Sequence, residues 1–237
     1  MKIALLGYGK MGKVIEQIAL ARGHEIVFKK TSTNGFENLA AADVAIDFSL
    51  PSAAVCNITA CFDTNIPVVC GTTGWIDNYD KMTTLCIQKN GAMLCSSNFS
   101  LGVNLFFELN CYLAKMMSNF EQYQPRIEEI HHLQKLDAPS GTAISLAKEV
   151  LENSNLSNWS LESGIPNTLA IDAKRIENVA GTHSVFYESI VDSIEIKHTA
   201  HNRDGFALGA VIAAEWIVNK KGVFLMKDVL ENNFKST

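Results

Sequence analysis

Gly7-Tyr8-Gly9-Lys10-Met11-Gly12 stands between a short apolar run, Ile3-Ala4-Leu5-Leu6, and a stretch from Lys13 to Arg22 with Val14, Ile18 and Ala21 on one helical face. Glycine at these three positions leaves few folds open. The first permits a tight turn, the second lets a ligand approach the backbone, and the third lets the helix pack closely on the strand. The helix N-terminus then offers free N–H groups and a positive dipole end to a pyrophosphate. Gly23 stops the helix and His24 to Phe28 returns as a strand, so the first 28 residues form one βαβ unit.

The same alternation continues. Asp43 to Phe48 reads as a strand, with Ser49 and Pro51 placed to start a helix of about 14 residues. Ile66 to Cys70 is a strand, Asn78 to Lys89 a helix, and Ala92 to Ser96 another strand. This spacing predicts a parallel sheet covered on both faces. A longer helix, Val103 to Met117, carries the chain onward, and beyond it the pattern changes. Gln124 to His132, Leu169 to Glu177, Ser184 to Glu188 and Asp192 to His198 read as strands, with one clear helix from Gly141 to Glu152. That grouping predicts an α+β domain on a mixed or antiparallel sheet. The apolar helix from Gly205 to Lys220 and the run Val223 to Met226 either finish this second domain or return to the first.

With 20 Lys and Arg against 25 Asp and Glu, the chain has a formal charge of −5 and lacks the basic field that nucleic-acid or anionic-membrane binding uses. No apolar stretch approaches the roughly 20 residues of a membrane span, and the N-terminus does not resemble a targeting peptide. The expectation is therefore a cytoplasmic protein with neither nucleic acid nor membrane as partner. Six cysteines, at 56, 61, 70, 86, 95 and 111, include no Cys-x-x-Cys pair and read as small buried hydrophobes in a reducing compartment.

The glycine loop predicts a nicotinamide or flavin dinucleotide. An acidic residue normally ends the second strand to grip the ribose, but here the chain reads Phe28-Lys29-Lys30-Thr31-Ser32-Thr33-Asn34. With no carboxylate to repel a 2′-phosphate, NADPH is at least as acceptable as NADH; otherwise the two lysines are solvated surface charges. Gly71-Thr72-Thr73-Gly74 and Ser96-Ser97-Asn98-Phe99 follow the fourth and fifth strands, at the carboxyl edge where open parallel sheets bind ligands.

Glu129 to Ala143 is the most informative segment. Pro139 and Ser140 mark a helix start, and Gly141-Thr142 at that N-terminus suits a carboxylate. His131 can give or take a proton near neutral pH, and Lys135 supplies a positive charge. Adjacent strand residues face opposite ways, so His131 and His132 do not chelate one ion and no metal is expected. His24, His183, His198 and His201 read as structural or surface residues.

Together these segments resemble the dihydrodipicolinate reductase family, more fully the 4-hydroxy-tetrahydrodipicolinate reductases. The resemblance rests on the glycine loop, Asp47-Phe48-Ser49, Gly71-Thr72-Thr73-Gly74, Asn98 to Asn104, and above all His131-His132-Leu133-Gln134-Lys135-Leu136-Asp137-Ala138-Pro139-Ser140-Gly141-Thr142-Ala143. Gly181 to Val185 and Asn202 to Ala210 extend it. It implies hydride transfer from NADPH or NADH to a cyclic dicarboxylate, giving tetrahydrodipicolinate in the diaminopimelate route to lysine. It also implies a Rossmann-type dinucleotide domain over residues 1–102, completed by 205–237, and a mixed-sheet substrate and oligomerisation domain over 103–204 that builds a homotetramer. By the resemblance, His131 and Lys135 are catalytic, and His132, Gly141 and Thr142 bind substrate. Gly7, Tyr8, Gly9, Lys10, Met11, Gly12, Gly71, Thr72, Thr73, Ser96, Ser97, Asn98 and Phe99 bind the cofactor.

Three features depart from the family pattern. Lys10-Met11 stands where Arg-Met is frequent, the stretch between Lys30 and Asp43 is short and lacks the acidic ribose partner, and Leu133-Gln134 replaces a more basic pair. Two other functions fit the residues alone: a further two-domain imine or amino-acid dehydrogenase, and a non-catalytic NADPH-sensing regulator.

Overall fold

A computed structural model describes residues 1–202 and 204–234. The chain divides into two units, Met1–Leu101 with the chain from Asp204 onward, and the stretch from Gly102 up to Asp204.

The first unit opens with β1 (Lys2–Leu6), α1 (Lys10–Ala21), β2 (Glu25–Lys30), β3 (Val44–Asp47) and α2 (Pro51–Asp63). It continues through β4 (Val68–Cys70), α3 (Tyr79–Gln88) and β5 (Ala92–Cys95). Then α4 (Leu101–Met117) leads into the second unit, made of β6 (Gln124–His131), α5 (Gly141–Glu152), β7 (Asn158–Ser160), β8 (Thr168–Arg175), β9 (Gly181–Glu188) and β10 (Ser193–Ala200). Finally α6 (Asp204–Ile217), β11 (Gly222–Phe224) and α7 (Met226–Phe234) belong to the first unit.

The first sheet has the order β11-β5-β4-β3-β1-β2, and every pairing is parallel. Because β1 lies between β2 and β3, the strand order reverses there, which opens a crevice beyond the carboxyl ends. Side chains of β1 alternate as the period of two requires. Ile3 and Leu5 enter one apolar cluster, with α1, α6 and α7, while Ala4 and Leu6 enter the other, with α2 and α3. Both faces are dry, so the strands read as continuous apolar runs.

The second sheet, β10-β9-β6-β8-β7, is mixed: β6, β8 and β7 run parallel, and β9 is antiparallel to β6 and β10. Its core joins Ile127, Leu169, Ile171, Val185 and Tyr187 of the sheet to Leu146, Ala147 and Val150 of α5 and Phe106 of α4. The expected class, a parallel Rossmann-type sheet plus an α+β mixed sheet, is therefore observed.

Of the two placements open for the last strand, the structure takes the first sheet, where it pairs with β5. Several local readings are corrected. The three-residue β7 and the helix α7 were not expected, and β2 extends to Lys30, so both lysines lie within the strand. Of the six thiols only Cys61, Cys70 and Cys86 are buried. Cys56 is exposed, because α2 turns Ala54, Asn57, Ile58 and Cys61 inward and leaves position 56 on its outer face.

Candidate active site

In the first unit the expected cofactor segments all follow parallel strands, so they share one edge of the sheet. Gly7 takes φ 102°, and a Cβ there would run into the Phe48 carbonyl; one at Gly12 would meet the Gly7 carbonyl. Only glycine allows this turn and this helix contact. At Gly9 a Cβ would meet no protein atom within 4 Å, which leaves open the space a pyrophosphate needs above the N-terminus of α1. A cavity of about 530 Å³ runs from Gly7, Tyr8 and Gly9 past Lys30, Thr31 and Ser32 to Phe48 and Ser49. A second, of about 560 Å³, is lined by Thr72, Thr73, Trp75, Tyr79, Ser96 and Ser97.

These residues fit a dinucleotide, but not all contribute in one way. Lys10 is exposed at the first position of α1, Met11 packs on the apolar cluster behind the loop, and Gly12 is buried. Phe99 is also buried, its ring 5.7 Å from that of Phe48, so its side chain supports the edge from below. Ser96 and Asn98 fix their own loop: Ser96 Oγ accepts from the Asn98 N–H at 3.1 Å, and Asn98 Oδ1 accepts from the Ser100 N–H at 2.9 Å.

Under this edge lies Asp47, fully buried at the end of β3. Asn57 Nδ2 donates to it at 3.0 Å and Thr72 Oγ1 at 3.1 Å, while Thr72 Oγ1 accepts the Ser49 N–H at 2.8 Å. One carboxyl therefore ties the loop after β3 to the loop after β4. Burial pushes its pKa upward, against the hydrogen bonds from Ser49, Asn57, Cys70 and Thr72.

In the second unit His131 ends β6, and its Nδ1 pairs with Glu129, two residues earlier on the same strand face. Glu129 has no exposed surface, and its other oxygen accepts from Arg175 Nη2 at 3.0 Å and from the Ser140 N–H at 3.3 Å. His132, one position on, leaves the strand; its Nδ1 is buried with no hydrogen-bond partner among the described residues. The chain then turns, the Lys135 N–H donating to the His132 carbonyl at 3.1 Å, and Lys135 Nζ lies 2.7 Å from the Asp137 carboxylate. That ammonium holds the Asp137 carboxyl below its ordinary pKa.

Ser140 caps α5, its Oγ accepting the Ala143 N–H at 3.2 Å, so Gly141 and Thr142 present the first-turn N–H groups that the helix itself does not use. A Cβ at Gly141 would meet nothing within 4 Å. The expected catalytic and substrate residues are thus joined through one short segment.

Three contributors escaped the sequence reading. Glu129 was legible, because a period of two from His131 places it on the same face. Arg175 and His183 come from strands distant in sequence. The ring of His183 stands edge-on to that of His131 with centroids 5.0 Å apart, and its Nε2 lies 3.0 Å from Ser140 Oγ. Burial, and after it the charge of His131, lowers the His183 pKa to about 4. Glu129, His131 and His183 offer ligand atoms within 4.8 Å of one another. Both oxygens of Glu129 are already engaged, in ion pairs with Arg175 and His131.

The dihydrodipicolinate reductase N-terminus model matches residues 1–99 and the C-terminus model residues 102–230. The chain belongs to the dihydrodipicolinate reductase family. Among curated members, the 4-hydroxy-tetrahydrodipicolinate reductase of Christiangramia forsetii is 57% identical over the whole of both chains. That of Archaeoglobus fulgidus is 33% identical, over 98% of this chain and 100% of its own. Among solved structures, dipicolinate-bound dihydrodipicolinate reductase from Paenisporosarcina sp. TG-14 superimposes with a TM-score of 0.76 at 20% identity, covering 95% of this chain and 97% of that one. At that identity the likeness establishes the family fold. Among the described residues, no helix of this family member is long and apolar enough to cross a membrane.

Proposed function

We propose that this chain catalyses the NAD(P)H-dependent reduction of 4-hydroxy-tetrahydrodipicolinate, the substrate named in its curated relatives, to tetrahydrodipicolinate, taking up one hydride and one proton and releasing the 4-hydroxyl as water, in the diaminopimelate route to lysine. The observation that carries the reading is one segment, His131 to Thr142, bearing an acid–base imidazole, an ammonium and an open helix N-terminus. A cyclic dicarboxylate calls for that combination. Residues 1–102 with 205–237 serve as the dinucleotide domain, and 103–204 as the substrate and oligomerisation domain.

When bound, NADPH or NADH supplies the hydride. The residues at the sheet edge hold it: Gly7 to Gly12 at the pyrophosphate, Lys30 to Ser32 at the adenosine end, and Gly71 to Thr73 with Ser96 to Phe99 at the nicotinamide end. In the second unit the Gly141 and Thr142 N–H groups and His132 bind the substrate carboxylates. Lys135 Nζ stabilises the electron density that reduction builds on the ring and donates a proton from Nζ. His131, held at Nδ1, exchanges a proton through Nε2. The site residues need no metal for these roles. A homotetramer and a cytoplasmic setting belong to the same proposal, and exposed Ile190 and Val191 between β9 and β10 are apolar surface of the kind subunit contacts cover.

The test is oxidation of NADPH and NADH by the purified protein, with substrate made in situ from pyruvate and aspartate semialdehyde by the upstream synthase. Rapid substrate-dependent oxidation is expected, and His131→Ala or Lys135→Ala should each lower turnover by about 100-fold or more. A protein that binds NADPH but oxidises none of it, and is indifferent to both substitutions, would be a sensor. Activity confined to acyclic imines would make it a different dehydrogenase.

A further inference from the structure

We propose that Glu129 and Arg175 act as a positioning pair that fixes the tautomer of His131 and the path of the segment carrying Lys135, so that both proton-handling groups are set by one buried ion pair. The proposal rests on the reading of His131 and Lys135 given above.

The geometry runs through two atoms of one guanidinium. Arg175 stands opposite His131 in the β6–β8 register. Its Nη2 donates to Glu129 Oε1 at 3.0 Å and to the Asp137 carbonyl at 2.6 Å, and its Nε donates to the Lys135 carbonyl at 3.3 Å. One planar fork therefore grips the carboxylate behind the histidine and the backbone on both sides of Leu136. A lysine would supply the charge without the fork.

Glu129 passes the constraint on. A carboxylate without exposed surface is costly unless paired and hydrogen-bonded, and here Arg175, His131 and the Ser140 N–H meet that need. Burial raises the Glu129 pKa, but the hydrogen bonds and charges of His131 and Arg175 outweigh it, and the group stays below its ordinary value. An ionised carboxylate only accepts hydrogen bonds, so the Nδ1 of His131 must carry the proton. Nε2 is left as the working atom. It faces Gly181, where a Cβ would stand 3.1 Å away, so the glycine keeps that nitrogen clear. Among the described residues, the other titratable group against the ring is His183, from β9.

The arrangement matches what fixes the tautomer of metal-bound histidines, where loss of the partner behind the ring costs about 10–100-fold. Glu129 and Arg175 are positioning residues: neither needs to touch substrate.

The test uses the full-length protein labelled with 15N-histidine, its ring nitrogens read by long-range 1H–15N correlation at about pH 9, above the ordinary histidine range. His131→Gln identifies the signals of His131. The wild type should show a proton on Nδ1 and a bare Nε2. In Glu129→Gln the Nδ1–H population should fall, and kcat should drop about 10–100-fold with the dissociation constant for NADPH unchanged. Glu129→Asp, which retracts the carboxylate by one methylene, gives the same two readouts should the glutamine variant not fold. Reduced turnover with the tautomer intact would overturn the proposal, as the loss would then be merely structural. An unchanged tautomer with unchanged turnover would overturn it too. A shifted tautomer with full turnover would leave the positioning intact and instead remove His131 from the proposed chemistry.

Discussion

The ammonium of Lys29 lies 2.6 Å from the Glu16 carboxylate and 4.4 Å from the centroid of the Tyr8 ring. Tyr8 itself hydrogen-bonds to Glu16, and Lys29 Nζ donates to the Tyr8 hydroxyl at 3.2 Å. The pairing with Glu16 lifts the Lys29 pKa and lowers that of Glu16. One of the two lysines near the ribose end of the cofactor crevice is thus held in an ion pair at the surface. The other, Lys30, lines the cavity and donates from Nζ to the Thr31 carbonyl at 2.9 Å and to the Asn34 carbonyl.

Cofactor choice should follow that division. Lys30→Ala is expected to raise KM for NADPH about 10-fold or more and to leave KM for NADH nearly unchanged, since a charge-assisted hydrogen bond is worth about 1.5–3 kcal/mol. Lys29→Ala should alter both alike, through the Tyr8 loop. Steady-state kinetics with the two cofactors decide the matter, and equal losses in Lys30→Ala would refute a 2′-phosphate role.

Asp47 should behave as the hinge pin of the cofactor edge. Asp47→Ala removes the carboxylate that accepts from Asn57 Nδ2 and Thr72 Oγ1, leaving them Ser49 Oγ at 3.1 Å and the residue-47 carbonyl at 3.5 Å, at a cost of about 1–3 kcal/mol. Urea unfolding should show that loss, and NADPH titration should show weaker binding, because Thr72 and Ser49 sit on the loops that Asp47 joins. Asp47→Asn keeps the shape and most partners and should be milder on both measures. An alanine variant as stable and as tight-binding as the wild type would contradict the assignment.

Stability should fall with acid in a window set by His183. Its folded pKa is about 4 against an ordinary value of 6.5, so the unfolded chain binds the proton first. The contribution is fully present above 6.5 and is lost as the pH falls towards 4, amounting to about 3 kcal/mol by linkage. His183→Gln, which cannot titrate, should flatten the unfolding free energy across this window. A variant with the wild-type slope would show that other groups carry the acid sensitivity.

Much of this was legible in the chain because it is local. The turn of Gly7 to Gly12 depends on which residues tolerate a positive φ and a close backbone approach. The start of α5 at Gly141 depends on a serine cap, and the parallel sheet on apolar runs alternating with amphipathic ones. Glu129 is the same kind of case, placed by strand periodicity alone. By contrast, β7 has three residues and no apolar pattern of its own, and is a strand only because β8 pairs with it. Arg175 lies 46 residues beyond Glu129, and nothing in its neighbours marks it as different from any basic residue at a strand end.

The sequence by itself determined the class of both sheets, the glycine-loop crevice and the segment from His131 to Thr142, since each follows from short-range rules of periodicity, capping and backbone freedom. Only the tertiary structure decided that β11 joins β5, that Glu16 pairs with Lys29, and that Arg175 grips Glu129 while His183 stands edge-on to His131. Those are pairings between strands and helices remote along the chain, set by backbone hydrogen bonding for β11 and by ion pairing and ring contact for the side chains, which form only once the cores have closed.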